Sequence, residues 1–192
     1  MVLVLCIGDI HIPHRATDIP AKFRELLKPG KIHHVLCTGN LCSKSMLEFL
    51  RGICSDVKVV QGDFDDFQSP EHLVVELAGF KVGVCHGHQV VPWGDREALA
   101  ILQRQMGADI LVTGHTHEFK AAVYEELLQV NPGSATGAYS AISQEAVQPS
   151  FVLMDLEGGK ATIYVYQLVD GEVKVEKIDH TKAAAAATAM TA

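Results

Sequence analysis

The sequence predicts one α/β domain with two β-sheets, and two patterns support that prediction. Up to Thr113, short apolar runs alternate with stretches whose apolar residues recur at helical spacing, which is typical of strands that alternate with helices. Beyond Thr113 the apolar runs are separated by turn residues such as Gly158-Gly159 and Asp170-Gly171, which indicates a β-meander. The 192 residues suffice for one buried core, and neither a linker nor an internal repeat divides them. We therefore expect a single domain over residues 1–180.

The first half is expected to contain strands and helices in alternation. Residues 2–7 form a continuous apolar run, as expected of a strand that is buried on both faces. A helix should begin at Pro20 and end before Pro29-Gly30, because proline favours a first turn and glycine follows a last one. The other predicted strands are 35–37, 57–60, 73–77, 80–85 and 110–113, and the other helices are 43–53 and 95–106. Within the second helix, Ser45 and Glu48 have the spacing of a capping box.

The second half is expected to contain strands only. Apolar runs predict them at 123–124, 127–130, 151–156, 161–168 and 172–178. The Ala-rich residues 181–192 show no core-facing pattern, so we expect a disordered tail there.

Composition narrows the class of protein and its compartment. A net charge of −7 without a cluster of Lys or Arg argues against a general nucleic-acid binder. No segment has the apolar length of a transmembrane helix, and residues 1–7 lack the basic region and cleavage site of a signal peptide. The 5 cysteines are odd in number and fit reduced, buried thiols. We therefore expect a cytoplasmic protein whose association with membranes is indirect.

The stretch Gly114-His115-Thr116-His117 is the first candidate for a functional site. Two histidines spaced i, i+2 at the end of a strand point the same way, and imidazole is among the commonest metal ligands. Taken alone, the pattern is also compatible with two exposed loop histidines.

The metal interpretation gains weight because four earlier apolar runs also end in potential ligands. In open α/β sheets, ligands bind in the crevice beyond the carboxyl ends of the strands. Most of these ends contain a glycine, which allows a tight turn. The predicted metal ligands are Asp9, His11, Asn40, Asp63, His86, His115 and His117.

The donor set indicates which ions the site would take. Carboxylate, amide and imidazole groups together suit Mn²⁺, Fe²⁺ or Zn²⁺, and the histidines make Mg²⁺ less favoured. Seven protein ligands exceed one tetrahedral site, whereas two ions about 3.5–4 Å apart that share a ligand would use them all. We expect up to two divalent ions, Zn, Mn or Mg. A purely polar pocket that binds no metal at physiological concentrations is the alternative.

The order and spacing of these residues resemble the signature of calcineurin-like metallophosphoesterases over about residues 1–180. The resemblance implies a four-layer α-β-β-α sandwich of the metallophosphoesterase type, which agrees with the two halves described above. The matching motifs are Asp9-x-His11, Gly39-Asn40, Gly62-Asp63, His86 and Gly114-His115-Thr116-His117. Residues 8–15, 86–95, 114–117 and 131–138 are similar to a branch of this family that forms the small subunit of retromer, an endosomal sorting coat.

Three positions depart from the pattern of the active enzymes in the family. The place of the bridging Asp is taken by Asn40, and the Asn of the Gly-Asn-His motif is replaced by Asp63. The His that protonates the leaving oxygen is replaced by Phe64, whose ring cannot transfer a proton. General acid catalysis typically contributes about 10²–10⁴-fold, so we expect no enzyme but a non-catalytic scaffold. The alternative is an active metal-dependent phosphodiesterase or phosphatase in which His14 or His88 supplies the missing proton.

The resemblance also implies two docking surfaces. The metal-site end would dock to the large α-solenoid subunit of retromer, in endosome-to-Golgi and recycling protein transport on endosome membranes. The residues expected at this contact are His86, Val90, Val91, Pro92 and Trp93. An exposed Val-Val-Pro-Trp is a typical interface anchor, although Trp93 could instead pack into the core.

The second implied surface is an apolar patch on the opposite side that recruits Rab-regulating proteins through Pro-rich loops. Tyr164 and Tyr166 are spaced i, i+2 on a strand and so share a face, which a proline could stack on. A plain sheet face packed on a neighbouring strand is the alternative. The residues at the matching positions are Leu3, Leu26, Leu153, Tyr164 and Tyr166.

Overall fold

A computed structural model describes residues 1–143 and 145–182 of the chain. The predicted tail lies outside these residues from position 183 onward. The elements in chain order are β1 (Val2–Ile7), α1 (Ala21–Leu26), β2 (His34–Cys37), α2 (Lys44–Ile53), β3 (Val57–Val59), β4 (His72–Leu77), β5 (Phe80–Cys85), α3 (Arg96–Met106), β6 (Ile110–Val112), β7 (Phe119–Tyr124), β8 (Leu127–Pro132), β9 (Ser150–Glu157), β10 (Lys160–Val169) and β11 (Glu172–Thr181).

The strands form two mixed sheets. The first sheet has the order β11-β10-β9-β1-β2-β3, in which β1, β2 and β3 are parallel and the meander β9–β11 is added antiparallel to β1. The second sheet has the order β4-β5-β6-β8-β7, in which β5, β6 and β8 are parallel. The predicted α/β class with two sheets is therefore confirmed.

Three apolar clusters hold the layers together. The largest lies between the two sheets and includes Val4 of β1, Val82 of β5 and Val152 of β9, all fully buried. A second cluster packs α1 and α2 on the outer face of the first sheet, and a third packs α3 on the second sheet. Continuous apolar runs such as β1 arise because both faces of the central strands are covered. The layers are helix, sheet, sheet and helix, as the resemblance implied.

Three local predictions differ from the structure. The capping box in α2 is wrong, because the hydroxyl groups of Ser43 and Ser45 lie 3.0 Å apart and cap no backbone N–H. β7 and β11 are longer than predicted, since pairing with β8 and β10 carries them through polar residues that interrupt the apolar pattern.

Among the helices of the described residues, none is long and apolar enough to span a bilayer.

Candidate metal centre

All seven predicted ligands lie at the edge where β1, β2, β3, β5 and β6 end. Backbone hydrogen bonds hold the loops of this edge together. In one of them, His11 N–H donates to Asn40 O at 2.9 Å. The two sheets are also joined here, since His115 N–H donates to Asp9 Oδ2 at 2.8 Å. Parallel strands deliver the residues that follow them to one edge, which explains why positions far apart in sequence converge.

Three of the ligands form a first group that is buried. Donor atoms of Asp9, His11 and His117 all lie within 4.8 Å of one another. The distances to Asp9 Oδ1 are 3.8 Å from His11 Nε2 and 3.5 Å from His117 Nε2. The two Nε2 atoms are 3.2 Å apart. One carboxylate oxygen and two imidazole nitrogens thus surround a single point.

The orientation of the rings in this group fits a cation. His117 Nδ1 donates to Ala138 O at 2.6 Å, so the lone pair of its neutral ring is on Nε2 and faces His11. Burial, with smaller contributions from the neighbouring His117 and from the charge of Arg15, lowers the pKa of His11 to about 3, which leaves this ring neutral. The Nε2 atoms of His11 and His117, 3.2 Å apart, need a proton or a cation between them. The contact of His117 Nδ1 with a backbone carbonyl is also typical, because metal-binding histidines usually donate their other N–H to such a group.

A second group consists of Asp63, His86 and His115, whose donor atoms are also within 4.8 Å of one another. Asp63 Oδ1 lies 3.0 Å from His86 Nε2 and 3.7 Å from His115 Nδ1. His86 Nδ1 donates to Thr38 O at 2.6 Å, so this histidine too presents Nε2 to the site. The seven ligands therefore divide into two groups of three and one further residue.

That further residue is Asn40, which lies between the two groups. Its Nδ2 atom is 2.9 Å from Asp63 Oδ1 and 3.4 Å from Asp9 Oδ1. Its Oδ1 atom accepts from Phe64 N–H at 2.9 Å. The amide nitrogen thus faces the carboxylates, and the oxygen would face a cation only after the amide turned and released Phe64.

The ionisation of the second group is governed by its hydrogen bonds. Burial favours the neutral form of Asp63, but the close His115 ring and the hydrogen bonds from His86 and Asn40 outweigh it and hold the pKa of Asp63 well below its usual range. Burial also opposes a charge on His86, yet the hydrogen bond with Asp63 and the charge of Asp9 raise the pKa of His86. A proton on His86 Nε2 would lie towards Asp63 Oδ1, where a cation shared by the two side chains would bind.

The ligand loops have a backbone conformation that the sequence did not reveal. Non-glycine residues rarely adopt positive φ, and such conformations cluster at functional sites. Five of the predicted ligands do so: Asp9 (47°), His11 (50°), Asn40 (55°), His115 (71°) and His117 (63°).

Asp65 supports the site and was missed as a functional residue. Its carboxylate accepts from the backbone N–H groups of Asn40 at 2.8 Å, Cys42 at 2.9 Å and Gly62 at 3.0 Å. It thereby joins the loop after β2 to the loop that carries Asp63. Nothing in the sequence indicated this role, because backbone contacts between distant loops leave no sequence pattern.

Phe64 lies at the mouth of the site. Its ring is 48% exposed and packs edge-on to His11, with the centroids 5.6 Å apart. The guanidinium of Arg15 is 4.6 Å from the centroid of Phe64 and donates to Tyr139 O at 2.8 Å. These residues border an open pocket of about 220 Å³ that Trp93, His115 and Ile142 also line. Neither His14 nor His88 is among the residues that line this pocket.

The predicted contact loop after β5 is largely on the surface. Val91 is 74% exposed and Trp93 is 48% exposed, so the alternative in which Trp93 packs into the core is not observed. Trp93 is held by its Nε1–H, which donates to His88 O at 3.0 Å, and by an edge-on contact with the ring of His115. The prediction that His86 contributes to this contact surface is wrong, because its side chain is completely buried and lies beneath the loop.

The register of the first sheet brings most of the second predicted patch to one face. Leu153 of β9 pairs with Tyr164 of β10, and Tyr166 follows on the same face. Leu3 lies on the neighbouring β1, two residues before the partner of Leu153. The ring of Tyr166 stacks on the ring of Phe151 of β9, with the centroids 4.7 Å apart. Tyr166 is therefore partly packed against the neighbouring strand, which was the alternative to an open docking face. Leu26 of α1 is 49% exposed.

Comparisons with known proteins agree with this architecture. A family model described as the calcineurin-like phosphoesterase superfamily domain matches residues 2–159. Vacuolar protein sorting-associated protein 29 of Schizosaccharomyces pombe is 50% identical over 185 residues, which cover 94% of this chain and 99% of that protein.

Two solved structures of related proteins contain a ligand. Wild-type Vps29 from Entamoeba histolytica in complex with Zn²⁺ is 51% identical, covers 93% of this chain and 99% of its own, and has a TM-score of 0.88. Vps29 from Chaetomium thermophilum in complex with the cyclic peptide RT-D3 is 40% identical, covers 95% and 98%, and has a TM-score of 0.85.

Proposed function

The chain belongs to the calcineurin-like phosphoesterase superfamily and, within it, to the Vps29 family, and we propose that it is a non-catalytic scaffold subunit of the retromer complex. The observation that carries the non-catalytic part is Phe64, a phenyl ring at the mouth of the site where a hydrolase needs a proton donor. In this role the protein supports endosome-to-Golgi and recycling transport from the cytoplasmic side of endosomes, which it reaches through the complex.

The two groups of ligands would hold up to two divalent ions, Zn, Mn or Mg. Asp9, His11 and His117 supply the donors of one site, and Asp63, His86 and His115 those of the other. A bound divalent ion supplies Lewis acidity and joins the loops that contribute its ligands. The neutral amide of Asn40 adds no charge between the groups, so it holds a second ion less firmly than a carboxylate would. The Zn²⁺ complex of the relative from E. histolytica supports the proposal.

The large α-solenoid subunit would dock on the loop after β5. Val91 and Trp93 are exposed apolar side chains next to a polar pocket, and Pro92 between them is also exposed. Such an apolar centre with a polar surround is the usual anatomy of an interface. The adjacent exposed side chains of Phe64, Tyr139 and Ile142 extend the apolar surface around the mouth.

Rab-regulating proteins would bind the patch of Leu3, Leu26, Leu153, Tyr164 and Tyr166. Neighbouring aromatic and aliphatic side chains on one sheet face can receive the ring of a proline. The cyclic peptide complex of the relative from C. thermophilum shows that a protein of this family binds a peptide ligand.

A phosphoesterase is the second candidate function. The two groups of three donors beside an open pocket of about 220 Å³ favour it, because a hydrolase needs such a cavity for the phosphate ester. Besides the predicted ligands, the described residues that line this pocket are Arg15, Phe64, Trp93, Ser140, Ala141 and Ile142. None of these side chains is a usual general acid, which argues against this function.

Docking is tested by comparing two exposed valines. Val91→Asp places a charge in the proposed contact, whereas Val123→Asp places the same charge on β7, where Val123 is 55% exposed. We expect Val91→Asp to weaken binding to the large retromer subunit by at least tenfold in isothermal titration calorimetry, because the partner would bury an unpaired carboxylate. Val123→Asp should bind within twofold of the unaltered chain. Equal affinities of the two variants would contradict this docking surface.

A further inference from the structure

One acidic side chain lies within the patch of Leu3, Leu26, Leu153, Tyr164 and Tyr166. In the register of the first sheet, Asp155 of β9 is opposite Leu3 of β1 and opposite Thr162 of β10. Opposite residues of neighbouring strands share a face, and Asp155 follows Leu153 by two residues. The carboxylate therefore lies on the same face as Leu3, Leu153 and Tyr164 and directly beside them.

Asp155 differs from the other acids of this face in having no partner. Glu157 is 3.2 Å from the amino terminus of Met1. Asp179 accepts from Thr162 at 2.8 Å and is paired with Lys177 at 3.1 Å and Lys160 at 3.5 Å. In residues 1–143 and 145–182, no hydrogen bond or ion pair to the side chain of Asp155 is present, and its Oδ1 atom is buried without a partner.

This arrangement restricts what can bind. The side chain of Asp155 is only half-buried, so water still reaches part of its carboxylate. An apolar ligand that covered Leu153 and Tyr164 would remove this water and leave the charge unsatisfied, which is the costly case for a buried polar group. The two lysines of the face cannot compensate without leaving Asp179. A ligand that supplies its own donor avoids the penalty.

We propose that Asp155 selects ligands for this patch and that its partner is a peptide segment in which an arginine or lysine lies next to the apolar residues. The apolar residues cover Leu153 and Tyr164, and the cation pairs with the carboxylate next to them. This inference rests on the proposed function of the patch. A binding site with a buried polar group strongly rejects ligands that offer no hydrogen-bond partner for it. A purely apolar site discriminates less strongly between ligands of slightly different shape. Asp155 therefore determines which ligands bind to the patch.

The test uses cyclic peptides selected from a random library for binding to the full chain. Peptides that lose binding to Leu153→Asp are retained as patch ligands, and each basic residue is replaced by Gln. We expect one Arg or Lys whose replacement weakens binding at least tenfold, and the same loss with Asp155→Asn. The two changes together should cost no more than either alone, because both remove one ion pair.

The controls separate the inference from the function on which it rests. Asp66→Asn removes the same charge from an exposed acid in the loop after β3, outside the patch and unpaired within the described residues, and it should bind within twofold. Asp155→Lys should bind the peptide with Glu in place of the Arg or Lys better than it binds the original peptide. Patch ligands that bind Asp155→Asn and the unaltered chain equally would overturn the inference while leaving the patch intact. If no selected peptide responds to Leu153→Asp, the proposed patch fails, and the inference fails with it.

Discussion

Replacing Asp65 by Asn should weaken metal binding although Asp65 is not a ligand. The carboxylate accepts three backbone N–H groups, from Asn40, Cys42 and Gly62, at 2.8 to 3.0 Å. An Asn of the same shape keeps one oxygen, which can still accept from Asn40 and Gly62. Its amide nitrogen then faces Cys42 N–H, donor against donor, and that hydrogen bond is lost.

The magnitude follows from the number and type of bonds. A hydrogen bond to a charged group contributes about 1.5–3 kcal/mol, and a neutral one about half as much. The loss of one bond and the weakening of two give about 3–6 kcal/mol for fully buried groups, and solvent reduces this to about 1.5–3 kcal/mol because the side chain of Asp65 is only half-buried. Removing an outer partner of a metal site typically costs about 10–100-fold in affinity, which is consistent with this range.

The measurement is calorimetric titration of Zn²⁺ into the metal-free protein. Asp66→Asn is the matched control, because the neighbouring Asp66 is exposed and makes no hydrogen bond or ion pair within the described residues. Both variants change the net charge equally. Zn²⁺ affinities of Asp65→Asn and Asp66→Asn that agree within twofold would refute the reasoning, since the effect would then not depend on the backbone contacts.

Two further predictions concern packing and protonation at the site. Gly8→Ala should lower stability by about 1–3 kcal/mol and the Tm by about 2–10 °C, because a Cβ on Gly8 would lie 1.8 Å from Thr38 Oγ1. Gly52→Ala, which meets nothing within 4 Å in α2, should leave the Tm unchanged or raise it in the same thermal unfolding experiment, and a similar fall for both would contradict the packing argument. Zn²⁺ affinity should fall as the pH is lowered from 8 to 6, because the raised pKa of His86 favours a proton on the ring that must be neutral to bind metal. Titrations in buffers of different ionisation enthalpy should show protons released on binding, and a pH-independent affinity would contradict this assignment.

Much of the fold could be predicted because its signals are local. The apolar run of β1 and the turn Asp170-Gly171 before β11 each indicate their element within a few residues. The ends of β7 and β11 could not be predicted, since strand pairing and not apolar alternation sets them. The capping box failed because Ser43, and not Ser45, precedes the first turn of α2.

The candidate site was predictable only in part for a similar reason. Its ligands follow apolar runs, and that position in the sequence is visible without a structure. The contacts of Asp65 with the backbone and the contact of Arg15 with Phe64 join loops that are distant in sequence. The burial of His86 beneath the loop of Trp93 likewise depends on how the two sheets pack.

The proposed scaffold role rests on the claim that the chain has the site of a hydrolase without its proton donor. The direct test is a phosphodiesterase assay on purified, Mn²⁺-loaded protein, with Phe64→His and Asp9→Ala measured beside it. We expect the unaltered chain to show no hydrolysis above Asp9→Ala while it still binds metal, and Phe64→His to show more, because an imidazole at the mouth can protonate the leaving oxygen. Hydrolysis by the unaltered chain that disappears in Asp9→Ala would contradict the claim and identify the protein as an enzyme.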